Sequence, residues 1–138
     1  MKKGTLKIIG IICLLVILAA VAIAYRLYNK PHRSAADETA VSINAAALAA
    51  AYEKDEAGSN KRYLGKVLQV AGTVSDVSVN QQHKTVVILT GSDMSGVQCT
   101  LLEEAPGIKK GNTITIKGFC AGFLTDVILD RCIIVSNP

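Results

Sequence analysis

The hydrophobic pattern of the chain opens with an unbroken apolar run at residues 8–24. These 17 residues would span about 26 Å as a helix, at roughly 1.5 Å per residue, which is the short end of a membrane span. Basic residues flank the run, and Tyr25 and Tyr28 suit the membrane–water interface. The pattern predicts a transmembrane helix with basic flanks over 1–28. The apolar run would cross the membrane, and the segment would remain attached as an uncleaved signal anchor. Cleavage after the small residues at 22–24 is the alternative.

A polar stretch of small residues follows at 29–40, contains Pro31, and is predicted to be a tether. The pattern then changes to a helical period over 41–58, with Ser42 or Asn44 as the cap and a glycine at the end. The apolar positions of this helix recur on one face: Ile43, Ala47, Leu48, Ala51 and Tyr52. Because an Ala-rich stripe is too weak to stand alone, the helix is expected to cover one end of the following domain or to pack on a partner.

From residue 64 onward the hydrophobic period is two, which is typical of β-strands. In the first strand Leu68, Val70 and Val74 alternate with other residues, and Gly72 marks a bulge or bend of the kind found at barrel corners. Four further strands are predicted, at 85–90, 97–101, 113–120 and 126–135. Five short strands favour a small closed barrel, because closure removes exposed edges. We therefore predict a mainly β fold, a five-stranded OB-fold barrel preceded by one α-helix and an N-terminal transmembrane helix; an SH3-like barrel is the alternative.

Charge is distributed unevenly over the 138 residues, whose formal net charge is +4. Residues 1–33 carry +6, residues 34–63 carry −2, and residues 64–138 are neutral. The positive excess therefore lies beside the apolar run, where it sets topology and attracts anionic lipid. The very short amino-terminal side favours a translocated domain. The predicted domains are an anchor at 1–28, a tether at 29–40, and a helix with the barrel at 41–138.

Several ordered segments resemble one family of OB-folds. Residues 63–74, Tyr-Leu-Gly-Lys-Val-Leu-Gln-Val-Ala-Gly-Thr-Val, resemble the opening of the tRNA-anticodon-like OB family (tRNA_anti-like). Its later motifs are resembled by residues 97–99, 110–118 and 126–129, together with Cys120 and Cys132. The resemblance spans 41–135 and implies an OB-fold in an extracytoplasmic setting, behind a signal, anchor or lipoprotein segment. The name reports fold similarity to anticodon-binding domains and implies no activity.

Three cysteines lie on or beside the last three strands. An OB barrel places its fifth strand between the third and fourth, so Cys99, Cys120 and Cys132 can approach one another. In a translocated domain a Cys120–Cys132 disulfide is the first candidate, and Cys99 with either partner is the alternative. Three buried free thiols remain a further possibility. No metal site and no cofactor are predicted, because His83 has no ligand spacing.

The candidate ligand-binding residues lie on the barrel: Lys66, Lys84, Lys117, Phe119 and Arg131. The barrel is neutral and poor in aromatic residues, which disfavours binding of single-stranded nucleic acid. No catalytic constellation is present, so no enzyme is predicted. We expect a single-pass protein of a bacterial membrane, with a periplasmic OB-fold module that binds a protein or an envelope ligand. A binder of single-stranded nucleic acid or tRNA is the alternative, and a structural subunit whose helix docks on another membrane protein is a third hypothesis.

Overall fold

The computed structural model of the protein describes residues 3–29 and 34–136. The chain divides into two compact units, 1–32 and 33–138. The described part of the first unit is a helix, α1 (Lys3–Tyr28), none of whose side chains is buried. This helix is long and apolar enough to cross a membrane, a property that membrane anchors and signal sequences share.

The second unit contains a closed β-barrel with one added strand and two helices. Its elements are β1 (Val41–Asn44), α2 (Ala45–Lys54), α3 (Glu56–Tyr63), β2 (Val67–Val79), β3 (Thr85–Leu89), β4 (Val97–Leu101), β5 (Thr113–Phe123) and β6 (Val127–Ser136). Strand β2 pairs with β5 and β3, β3 pairs with β4, and β6 lies between β4 and β5, parallel to β4. The ring is therefore closed and has the connectivity of an OB-fold. The predicted mainly β fold is confirmed, with two helices before the barrel instead of one.

The long strand β2 serves two neighbours in succession. Its first half, Val67 to Thr73, pairs with β5, and its second half pairs with β3. The register shifts between Val74 and Asp76, so the bend lies there and not at Gly72. A Cβ atom on Gly72 would come within 2.9 Å of the Ala45 Cβ. This glycine is therefore needed for the close approach of helix α2.

The helix predicted over 41–58 begins later than expected and is interrupted. Residues 41–44 form β1, a parallel edge strand on the first half of β2. Helix α2 begins after Asn44, whose Oδ1 accepts the backbone N–H of Ala47 at 2.7 Å. Asp55 ends α2 and caps α3, because its Oδ1 accepts the backbone N–H of Gly58 at 3.0 Å. Gly58 therefore lies inside α3 and does not end α2.

Helix α2 closes one end of the barrel with its apolar face. Leu48 and Tyr52 are fully buried and belong to the same core as the inward residues of all five barrel strands. The Tyr52 ring lies 5.6 Å from that of Phe123 and 6.2 Å from that of Tyr63, between centroids. The expected role of the helix, covering one end of the domain, is thus what the packing shows.

Residues 34–40, which we call the strap, pack on the outside of the barrel. Ala35 has no exposed surface and contacts a small apolar cluster with Val67 and Phe119. The Lys117 ammonium donates a hydrogen bond to the carbonyl oxygen of Ala36 at 3.3 Å. The far part of the predicted tether is therefore part of the folded domain, while residues 30–33 lie outside the described residues.

Candidate ligand-binding surface

Three of the five candidate residues come together on the outer face of β5 and β6. Lys117 and Phe119 are two residues apart on β5, and Phe119 pairs with Val67 on one side and with the neighbour of Arg131 on the other. The backbone of Lys66 lies beside β5, because its carbonyl oxygen accepts the N–H of Cys120 at 2.9 Å. The strand pairing therefore produces a small basic surface around one aromatic ring.

Lys84 lies apart from this group. It belongs to the turn between β2 and β3, where its backbone N–H donates to Asn80 Oδ1 at 3.0 Å. The other candidate residues on β5 pair with the opposite half of β2. The structure therefore does not bring Lys84 into the surface that Lys117 and Arg131 share.

Arg131 adopts a left-handed backbone conformation within β6, with φ +50°. Such a conformation is unfavourable for a residue other than glycine and persists where surrounding contacts hold it. Three contacts are present: the Arg131 N–H donates to Asp130 Oδ1 at 2.8 Å, the Arg131 Nε lies 3.9 Å from Asp130 Oδ2, and the guanidinium carbon lies 4.0 Å from the centroid of the Phe119 ring. The irregular strand thus places a cation on the face of an aromatic ring, an attractive arrangement.

The Phe119 ring is covered on this surface. Only 4% of the residue is exposed, because Val67, Ile133 and the strap pack around it and Arg131 lies over it. A base that stacks on protein needs an open aromatic face. With the strap in place, Phe119 supports the surface from beneath instead of offering a stacking platform.

The outer face of β3 and β4 is the surface on which many OB-folds bind oligonucleotides. The register places six side chains on this face and the adjoining part of β2: Asp76, Ser78, Val86, Ile88, Gln98 and Thr100. These six include no lysine, no arginine and no aromatic residue, and Asp76 adds a negative charge. Because phosphates need positive charge and bases need stacking partners, the face lacks both elements of a single-strand site.

A polar cluster joins helix α2 to the loop between β3 and β4. The hydroxyl groups of Ser92 and Ser95 donate to Glu53 Oε1. These two hydrogen bonds favour the charged carboxylate, so they hold the pKa of Glu53 below its usual value. The cluster was not foreseen from the sequence, since its partners are about forty residues apart. The hydrogen bonds of this cluster connect helix α2 to the loop and have a structural role.

The three barrel cysteines are buried free thiols in two separate places. The Cys99 thiol donates to the Val97 carbonyl oxygen at 3.9 Å, and the influence of Cys99 together with burial raises the pKa of the Cys132 thiol. Cys120 Sγ lies 3.2 Å from the hydroxyl oxygen of Tyr52, and burial together with this contact raises the pKa of that tyrosine. The structure therefore brings together the alternative pair, Cys99 and Cys132, and gives Cys120 a different neighbour. All three thiols are buried away from solvent, and buried thiols of this kind are unreactive.

Comparison with known proteins gives one family. A family model described as tRNA_anti-like matches residues 1–134. The match includes helix α1, the strap and the barrel. A search of curated proteins returned no match to the chain.

Proposed function

The chain belongs to the tRNA_anti-like family, and from that premise we propose that it is a membrane-anchored OB-fold binding module outside the cytoplasm. Its ligand is a protein or another component of a bacterial envelope, and it catalyses no reaction. Helix α1 supplies the anchor and the barrel supplies the binding surface. The surface available is the outside of the sheet, because helix α2 fills one end of the barrel.

The character of the outer face of β3 and β4 carries this proposal. A single-strand binder of this fold uses a basic groove with aromatic platforms. Here the face is uncharged apart from Asp76, and Phe119 on the neighbouring surface is covered. On this face Val86 is buried, whereas Ile88, Gln98 and Thr100 are partly exposed and offer the mixed apolar and hydrogen-bonding surface of a protein interface.

The distribution of charge supports the anchored location. The six uncompensated cations of residues 1–33 lie on both sides of the apolar run, and residues 64–138 are neutral. Cations next to a membrane span determine orientation and bind anionic lipid.

The nucleic-acid alternative is tested with the full chain in nanodiscs of neutral lipid. We expect fluorescent single-stranded DNA and RNA to show no barrel-dependent binding even at low salt, because the barrel carries no net charge. The matched control replaces Lys2, Lys3 and Lys7 by glutamine, which removes basic charge outside the barrel. A salt-sensitive complex that survives in this control, and is lost in a Lys117→Ala/Arg131→Ala variant, would contradict the proposal.

The proposed location is tested with a cysteine introduced at Thr125, in the exposed turn between β5 and β6. We expect a membrane-impermeant maleimide to label Thr125→Cys in intact cells, while Cys99, Cys120 and Cys132 stay unlabelled. Burial protects these three thiols, so they should react only after denaturation, and without prior reduction. The wild-type chain gives the background from Cys13. Labelling of Thr125→Cys only after the cells are permeabilised would place the barrel in the cytoplasm.

A further inference from the structure

The strap occupies the β5–β6 surface in the manner of a bound peptide. Its Ala35 side chain is fully buried against Val67 and Phe119, and its Ala36 carbonyl accepts the Lys117 hydrogen bond. The described backbone–backbone hydrogen bond of the strap is internal, from the Asp37 N–H to the Ser34 carbonyl. The strap thus contacts the barrel through the Ala35 side chain and the Ala36 carbonyl oxygen, and not as an additional strand.

The surface under the strap has the chemistry of a recognition site. It offers an apolar depression that fits one small side chain, with a donor, Lys117, at its edge. Arg131 adds a second cation, which is held over Phe119 by the left-handed backbone of β6 and forms an exposed ion pair with Asp130. The strap sequence, Ser-Ala-Ala-Asp-Glu-Thr-Ala, supplies small residues followed by two carboxylates. Small residues fit the depression, and acidic residues complement the two cations.

The geometry points to a peptide-binding groove that the strap of the same chain occupies. This inference rests on the proposed function. The external ligand is a protein segment that adopts a turn like that of the strap, with a small apolar residue followed by acidic residues, and it binds by displacing the strap. The groove belongs to a small apolar cluster distinct from the main core. Displacement therefore leaves the packing of the barrel intact. A covalently attached competitor acts at a high effective concentration, so only a ligand with additional contacts displaces it.

The first part of the test releases the strap in the full chain in nanodiscs. Ala35→Asp places a carboxylate in the apolar depression, and we expect faster amide hydrogen exchange at 34–40 with unchanged exchange in the barrel strands. The matched control is Ala46→Asp on the exposed side of α2, which should leave the strap protected. Unchanged exchange of the strap in Ala35→Asp would overturn the inference, because the Ala35 contact would then not hold the segment.

The second part asks whether the vacated groove binds the same chemistry in trans. The probe is the free peptide Ser-Ala-Ala-Asp-Glu-Thr-Ala, followed by the NMR chemical shifts of the β5 and β6 amides. We expect the affinity for Ala35→Asp to exceed that for the wild type by about tenfold or more, since no tethered competitor remains. A peptide with lysine at both acidic positions should bind more weakly, and Lys117→Met in the Ala35→Asp chain should weaken binding of the acidic peptide.

The outcome also separates this inference from the proposed function. If the strap is released and the acidic peptide binds no better than its lysine counterpart, the strap is only a structural part of the domain and the inference is wrong. The proposed function would then still stand on the labelling of Thr125→Cys and on the absence of nucleic-acid binding. A cytoplasmic barrel or a salt-sensitive nucleic-acid complex would instead overturn the proposed function, whatever the peptide does.

Discussion

Replacing Leu48 by alanine is expected to lower the free energy of unfolding of the barrel domain by about 2–5 kcal/mol. Leu48 has no exposed surface and, with Tyr52, carries the apolar face of α2 into the end of the barrel. Its buried neighbours on the helix, Ala45 and Ala49, have only methyl groups and cannot fill the space. The cavity would therefore persist, which places the expected loss toward the upper end of the range.

The chain has no tryptophan, so the measurement uses its buried thiols. Urea unfolding of the full chain in nanodiscs is followed by the maleimide reactivity of Cys99, Cys120 and Cys132, read by mass spectrometry. The matched control is Leu124→Ala, the same change at a residue that is 79% exposed. We expect that control to alter stability by no more than about 0.5 kcal/mol. Equal stability of the two variants would show that α2 does not close the barrel.

The barrel could be predicted from the sequence because its signals are local. In β4, Val97, Cys99 and Leu101 alternate with polar residues and all three are buried. Alternation of this kind fixes the inward face of a strand before any partner is known. The order of five such strands, and the glycines and turns between them, then favoured one small closed architecture.

The start of helix α2 could not be predicted, because the interaction that determines it is not local in the sequence. Val41 and Ile43 are β-branched, but Ile43 also fits the helical period of the residues that follow. What decides the outcome is the unpaired side of the first half of β2, which β1 fills through pairs such as Val41 with Leu68. The pairing with a strand so distant in the chain does not affect the local hydrophobic pattern of residues 41–44.

The candidate surface was predicted in part. Lys117 and Phe119 share a strand face, so their proximity followed from the strand itself, and that of Arg131 followed from the barrel order. The strap was missed, because Ser-Ala-Ala-Asp-Glu has no hydrophobic period and one methyl group carries its burial. Which residues lie next to each cysteine depends on the register irregularities of β6, and the residue types in the sequence do not predict these irregularities.

The contact between β5 and β6 at Gly118 gives the second large expected effect. Gly118 is buried, and a Cβ atom added there would overlap Cys132 Sγ and lie 3.1 Å from the carbonyl oxygen of Asp130. Gly118→Ala is therefore expected to destabilise the domain by about 1–3 kcal/mol, the usual cost of overpacking. The upper part of the range is expected because one of the two obstacles is backbone of a paired strand.

The cause can be isolated by a double-mutant cycle measured by amide hydrogen exchange of the barrel strands in urea. Cys132→Ala removes the sulfur, so Gly118→Ala should cost less in that background, with a coupling of about 0.5 kcal/mol or more. The control is Gly107→Ala, where an added Cβ meets no atom within 4 Å and stability should hardly change. If Gly118→Ala costs the same with and without the sulfur, the contact between Gly118 and Cys132 does not limit the packing of β5 on β6.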